Sequence, residues 1–194
     1  MPRPSTDTAE RILELAETLV QTQGFNGFSY ADIASKLRIR NASIHYHFPS
    51  KAQLGLRLIR RYHGNFREAL DSIDRTNADA RRKLKLYAQL YANVLKDKNR
   101  MCLCGMLASD HHTLPKPVRD GVKDFFDDNE AWLTKVLGEG REAGTLRFDG
   151  SPAVHARVLL SSLEGAMLVA RSYGEVSRFE SVAQRLLADL DAKA

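Results

Sequence analysis

Residues 29–51 read SYADIASKLRIRNASIHYHFPSK, and this stretch decides the fold. Its pattern predicts a short helix, a tight turn at Arg38–Arg40 and a second short helix. Ser29 is placed to cap the first helix, because its hydroxyl can accept one of the unsatisfied amide N–H groups. Ile33, Ala34 and Leu37 form its inward face. In the second helix Ile44 and Phe48 are four residues apart and point at the core. Asn41 and His45, Ala42 and Tyr46, and Ser43 and His47 share that spacing and line the other faces. Pro49 has no N–H with which to continue the ladder, and Ser50 caps the helix that Lys51 opens. A small helix showing Asn, Ser, His and Tyr beside cations suits a DNA groove. The short polar groups meet base edges and the cations meet phosphates.

The charge around this stretch agrees. The 194-residue chain carries a formal net charge of +5, with a pI near 9.3, which alone proves little. Its distribution says more. No Asp or Glu occurs between Asp32 and Glu68, while Lys36, Arg38, Arg40, Lys51, Arg57, Arg60, Arg61 and Arg67 fall in that gap. A solvated face usually mixes signs, so a run of one sign favours a polyanion partner.

An ordered series of motifs resembles the N-terminal domain of the TetR family of bacterial transcriptional regulators. It starts at Ala9–Glu10–Arg11–Ile12–Leu13 and Gly24–Phe25, passes through Ser29–Ala34, and ends in Ser43–Ile44–His45–Tyr46–His47–Phe48–Pro49–Ser50–Lys51. The specific motifs cover roughly the first sixty residues; beyond them the likeness rests on length and helical character. The chain departs from the family pattern at Arg40, where Ser or Thr usually caps the recognition helix, at Ala42, where Gly is common, and at His45, where Tyr is frequent. These changes bear on which operator is read. The resemblance implies an all-α chain. Residues 1–51 would be a three-helix DNA-binding domain with a helix-turn-helix, and residues 52–194 a helical ligand-binding and dimerisation domain, with 51–70 as connecting helix. It also implies a homodimer through the last two helices, facing a pseudo-palindromic operator. The expected base readers are Asn41, Ser43 and His45; Arg40 is a further contact, and Ser29, Tyr46, His47 and Lys51 position phosphates.

Along the chain, Met1–Asp7 reads as a flexible arm whose Arg3 is a minor-groove candidate. The first helix is expected over Thr8–Gln23, stopped by Gly24. Phe25 and Phe28 plug the three-helix core. A helix from Lys51 to about Leu70 is followed by a polar break, Asp71–Asp79, which is the expected domain boundary. Helices follow at Ala80–Lys96, from Val118 to roughly Gly140, from Ser151–Pro152 to Tyr173, and over Val176–Leu190, and Met101–Ser109 is a short, nearly wholly apolar segment. The helix ending at Tyr173 is apolar almost all round and must be buried on every side, within one chain or between two. Ser161, Ser162, Gly165 and Ala166 give it a strip for close packing. No strand pattern, signal core or apolar run of membrane-spanning length is evident, and two Cys make no disulfide framework, which points to the reducing cytoplasm.

By resemblance, a small effector binds among the middle helices. Candidate lining residues are Phe66, Tyr87, Tyr91, Met101, Cys102, Cys104, Met106, Phe125, Trp132, Met167, Arg171 and Tyr173, each with an alternative reading as plain core. Aromatics and Met with few polar groups suit a small, mostly apolar ligand. Arg171 is placed to bind a carboxylate, to pair with Glu164 or to reach solvent. Cys102 and Cys104 are two apart, so in a helix their thiols diverge by roughly 200° and form neither a disulfide nor a metal pair. One of them facing the pocket would make an electrophile sensor; buried, inert thiols are the alternative. Asp110–His111–His112 lacks a third metal ligand, and no nucleophile–base pair, phosphate loop or carboxylate pair marks an enzyme. No cofactor, metal or membrane is expected. The function classes left open are a repressor released by a small effector, a thiol-sensing repressor, and a DNA-binding dimer with no small effector.

Overall fold

The structure is a computed structural model that describes residues 4–190. Among them every regular element is helical apart from short turns: α1 (Pro4–Gln23), α2 (Tyr30–Leu37), α3 (Asn41–His47), α4 (Lys51–Arg75), α5 (Ala80–Lys96), α6 (Leu103–Ser109), α7 (Lys116–Glu142), α8 (Pro152–Tyr173) and α9 (Val176–Ala188). The chain gathers into two compact units. One holds the chain up to Gly64 together with Leu103–Lys123; the other holds Asn65–Cys102 and the chain from Asp124 onward. The long helices α4 and α7 each contribute to both.

In the first unit α1, α2 and α3 enclose Ile12, Ala16, Leu19, Val20, Ile33 and Ile44, all buried, and Phe25 and Phe28 close the core edge to face. Gly24 stops α1 at φ 82°, a conformation that suits glycine, and its N–H reaches back to the Val20 carbonyl at 2.9 Å. Ser29 caps α2 in a capping box. The Asp32 amide donates to the Ser29 hydroxyl, and the Ser29 amide donates to the Asp32 carboxylate at 2.7 Å. Arg38 ends α2 in the left-handed region, φ 55°, and turns the chain into α3. Gly55, which the sequence shows only as a weak point in α4, has a packing reason. A Cβ there would sit 2.9 Å from the Phe25 ring and 3.1 Å from Val118, so α4 approaches both only without a side chain.

Several boundaries differ from expectation. Helix α1 starts by Pro4 and not at Thr8, so Pro4–Asp7 is no arm; Arg3, the minor-groove candidate, lies outside the described residues. Helix α4 runs past Leu70 to Arg75, because Ile73 is buried and continues its apolar face through the polar letters of Asp71–Arg75. The break shrinks to Thr76–Asp79, where Asp79 caps α5 through the Arg82 amide at 2.7 Å.

In the second unit α8 packs on α9 and α5. Ser151 caps α8 through the Val154 amide at 3.2 Å, Pro152 is its first residue, and Gly174 ends it at φ 69°. Contrary to the sequence expectation, α8 is long and apolar enough to span a membrane. Its apolar positions instead divide between two faces. Ala156, Leu159, Leu160, Leu163, Met167 and Ala170 are buried, while Val154, Val158, Leu168, Val169 and Tyr173 are about half-exposed.

Candidate DNA-reading surface and effector region

Helix α3 is built to be read from outside. Ile44 and Phe48 anchor it in the core, and the Tyr30 hydroxyl, a donor to the Phe48 carbonyl at 2.9 Å, ties α2 to its end. Burial pushes the Tyr30 phenol up to about 12. Arg40, Asn41, His45 and Tyr46 are exposed, Tyr46 to 80 %, while Ser43 and His47 are half-buried. The Tyr30 and His45 rings meet edge to face at 4.9 Å, and Tyr46 and His47 at 5.1 Å, which limits how far these side chains swing. Arg40 occupies the N-cap position without a side-chain cap bond, so the first amides of α3 keep no capping side chain.

Two expected phosphate contacts have other tasks. The Ser29 hydroxyl donates to Asp32 at 2.7 Å. Lys51 turns inward. Its ammonium donates to the Phe28 carbonyl and lies over the Phe28 and Phe25 rings, at 4.3 and 5.0 Å from their centroids. Burial lowers the Lys51 ammonium below the ordinary lysine range against the opposing fields of Asp110 and Asp32. Arg61, part of the one-sign run, is not open to a polyanion either: it meets Glu10 at 3.0 Å, Glu17 at 3.4 Å and Glu14 at 3.9 Å along α1.

The same unit contains a link that sequence reasoning missed. The Phe25 amide donates to the Asp110 carboxylate at 2.7 Å, and the Asn26 amide side chain donates to Thr113 at 2.7 Å. The segment after α6 is thus bonded to the turn between α1 and α2. Asp110 serves this turn, and among the described residues no three potential ligands gather for a metal.

In the second unit the expected effector residues form an aromatic cluster. Phe66 meets Phe125, Tyr91 and Tyr87 edge to face at 5.0, 5.9 and 6.2 Å, and Trp132 stacks on Tyr87 at 5.4 Å. Asn129, buried and unremarked in the sequence, organises the polar side. It accepts from the Tyr87 hydroxyl at 2.8 Å and donates to the Phe125 carbonyl at 2.8 Å, and Tyr87 pairs with Tyr91 at 3.0 Å. The Trp132 indole donates to Asp74 at 3.2 Å. Met101, Cys102 and Met167 are buried in this unit; Cys104 and Met106 belong to the first unit, Cys104 buried and Met106 half-buried. Neither thiol is in a disulfide. Tyr173 does not face the interior: it is 59 % exposed, with Arg178 stacked on it at 3.7 Å. No hydrogen bond joins Arg171 to the Glu164 carboxyl.

Comparison with known proteins settles the family. Residues 12–58 match the model of the N-terminal domain of bacterial regulatory proteins of the tetR family, and residues 80–186 match the tetracyclin repressor-like C-terminal domain. The chain belongs to the TetR family. A TetR-family regulator of Agrobacterium tumefaciens is 33 % identical, covers 97 % of this chain and 100 % of its own, and superposes with a TM-score of 0.94. One from Legionella pneumophila is 34 % identical over 98 % and 100 %, with a TM-score of 0.87. The repressor NemR of Escherichia coli is 25 % identical over 168 residues, which is 85 % of this chain and 84 % of NemR. The protein is therefore a DNA-binding transcriptional regulator and not an enzyme. As in the TetR fold generally, a helix-turn-helix (α2 and α3) precedes a helical C-terminal domain.

Proposed function

We propose that this TetR regulator is a homodimeric repressor, released from a pseudo-palindromic operator by a small effector bound among α4, α5, α7 and α8. The contact set on DNA is Arg40, Asn41, Ser43, His45, Tyr46 and His47, with Asn41, Ser43 and His45 reading bases. Dimerisation has support in the half-exposed apolar residues of α8 and in Val182 of α9, which is 40 % exposed. Val169 and Val182 line a groove of about 570 Å³ together with Gly165 and Ala166 among others. An apolar surface of this kind marks a protein partner, and a second copy presents the same strip.

Asp110 is the observation that carries the release mechanism. Cys102 immediately precedes α6 in the chain, and the far end of α6 leads into the Asp110 bond to the turn that carries α2. An effector that moves the start of α6 therefore alters the setting of the reading head, provided it prefers the low-affinity state. The test is DNA binding to the chain's own upstream region, followed by fluorescence anisotropy, for each small molecule that raises the melting temperature. Release of DNA by at least one stabiliser is expected. Stabilisers that leave DNA affinity untouched would count against the reading.

A further inference from the structure

We infer that Glu164 is the recognition group for the effector, and that the effector is an organic cation with at least two N–H donors, of the aryl amine or amidine class. The inference deepens the effector-released reading above and rests on it.

Glu164 lies on α8. Its residue surface is partly exposed, yet each of its two carboxyl oxygens exposes less than 1 Å² and neither meets a nitrogen or oxygen donor. Because the shielding comes from this chain alone, the second subunit cannot supply the missing donors. The neighbouring groups cannot either. Tyr87, Tyr91 and Cys102 lie within electrostatic range of the carboxyl. Tyr87 spends its one hydroxyl hydrogen on Asn129, so Tyr91 must spend its own on Tyr87. Cys102 is the side chain that hydrogen-bonds the carboxyl, and its S–H is a weak donor that leaves most of the acceptor capacity unused. A buried carboxyl short of donors is costly, and groups left in that state are commonly kept for function.

The surroundings select the ligand. Binding a cation releases the proton that burial keeps on the carboxyl, and the two carboxylate oxygens then match two parallel N–H donors, the geometry of an amidinium or a primary ammonium. The Tyr87 and Tyr91 rings, which lie within electrostatic range of the carboxyl, offer π-faces, which attract cations. Phe66 and Trp132, which pack on Tyr87, are only half-buried and are the rings of this cluster with the most room to turn.

Isothermal titration of the purified full-length protein tests this with benzamidine and phenethylamine as cationic probes and benzamide and phenethyl alcohol as neutral near-isosteres. The cations should bind about tenfold tighter or more than their neutral partners, the scale expected of a charge-assisted bidentate contact. In Glu164→Gln, checked for cooperative unfolding, that preference should shrink to within about threefold. Neutral probes binding as well as the cations to the wild type would overturn the inference, independently of any variant. A cation preference that survives in Glu164→Gln would overturn it too. If the cations bind through Glu164 but do not release DNA, the site stands and the effector-released reading falls.

Discussion

Lys51 shows how one residue's role changes between sequence and structure. Its place at the start of α4 suggests a phosphate contact, yet its ammonium is held by the Phe28 carbonyl and two aromatic faces. Lys51→Ala should therefore lower stability by about 1–2 kcal/mol, the worth of a charged hydrogen bond and a partly desolvated cation–π contact. The slope of log K against log salt for DNA binding should stay the same. A slope that falls by about one unit would restore the phosphate role. Carboxylates divide by environment. Burial alone would raise Asp74, but the bond from Lys83, the charges of Lys83 and Lys135 and the Trp132 indole outweigh it and hold it below the usual range. Its contribution to stability is present above the unfolded carboxylate value and is lost as pH falls through the folded one. Glu164 is the reverse: burial, with Cys102 nearby, raises it well above 4.5. The folded state then holds a proton that the unfolded chain releases, so stability falls as pH rises above about 4.5. Glu164→Gln should raise the melting temperature by a few degrees at pH 7 and leave it nearly unchanged at pH 4. An equal effect at both pH values would show that Glu164 is not held neutral. Asn129, Asp110 and Glu164 were not legible in the sequence as a buried organiser, a turn clamp and an unpaired acid. Each is an ordinary polar letter on a helix or in a loop, and only long-range packing shows what it meets.

At the scale of elements, the helix pair was legible because its signals are local. A capping box, a stop, a four-residue spacing and a proline occupy adjacent positions. Helix α4 was misjudged at its end because polar letters at Asp71 and Arg75 hide an apolar face that Ile73 continues. Gly55 carries the same lesson: its cost in the helix is local, but its reason is the approach of Phe25 and Val118. Gly55→Ala should destabilise the protein by about 1–3 kcal/mol, as overpacking does, despite alanine's better helix propensity. Chemical denaturation checks this, and a stabilised variant would mean that Phe25 yields without strain. Helix α6 acts through its end. Asp110→Ala removes the acceptor of the Phe25 amide and should reduce the effect of any effector on DNA affinity more than it reduces effector binding. An unchanged coupling would place the transmission elsewhere.

On the scale of the whole molecule, the sequence carried the fold class and family, because an ordered series of motifs is matched and the C-terminal helices have the length and amphipathicity of the family. It did not carry the effector. The interior residues that line such a region have the same letters as a plain core, and the family resemblance supplies no ligand. Helix α8 makes the distinction between chain and assembly concrete. Its half-exposed valines and Leu168 are a liability in a monomer and an interface in a dimer. Leu168→Glu with Val169→Glu should shift the protein to monomer in sedimentation and weaken operator binding by about tenfold or more, because each half-site then binds without the gain from linkage. The central claim is that two α3 helices of a dimer read one operator. It is tested most directly by footprinting the chain's own upstream DNA with the wild-type protein and with Asn41→Ala. The account predicts two protected half-sites whose centres lie about one helical turn, or a multiple of it, apart, with protection of both lost together in Asn41→Ala. A single protected site, or a footprint indifferent to Asn41, would contradict it.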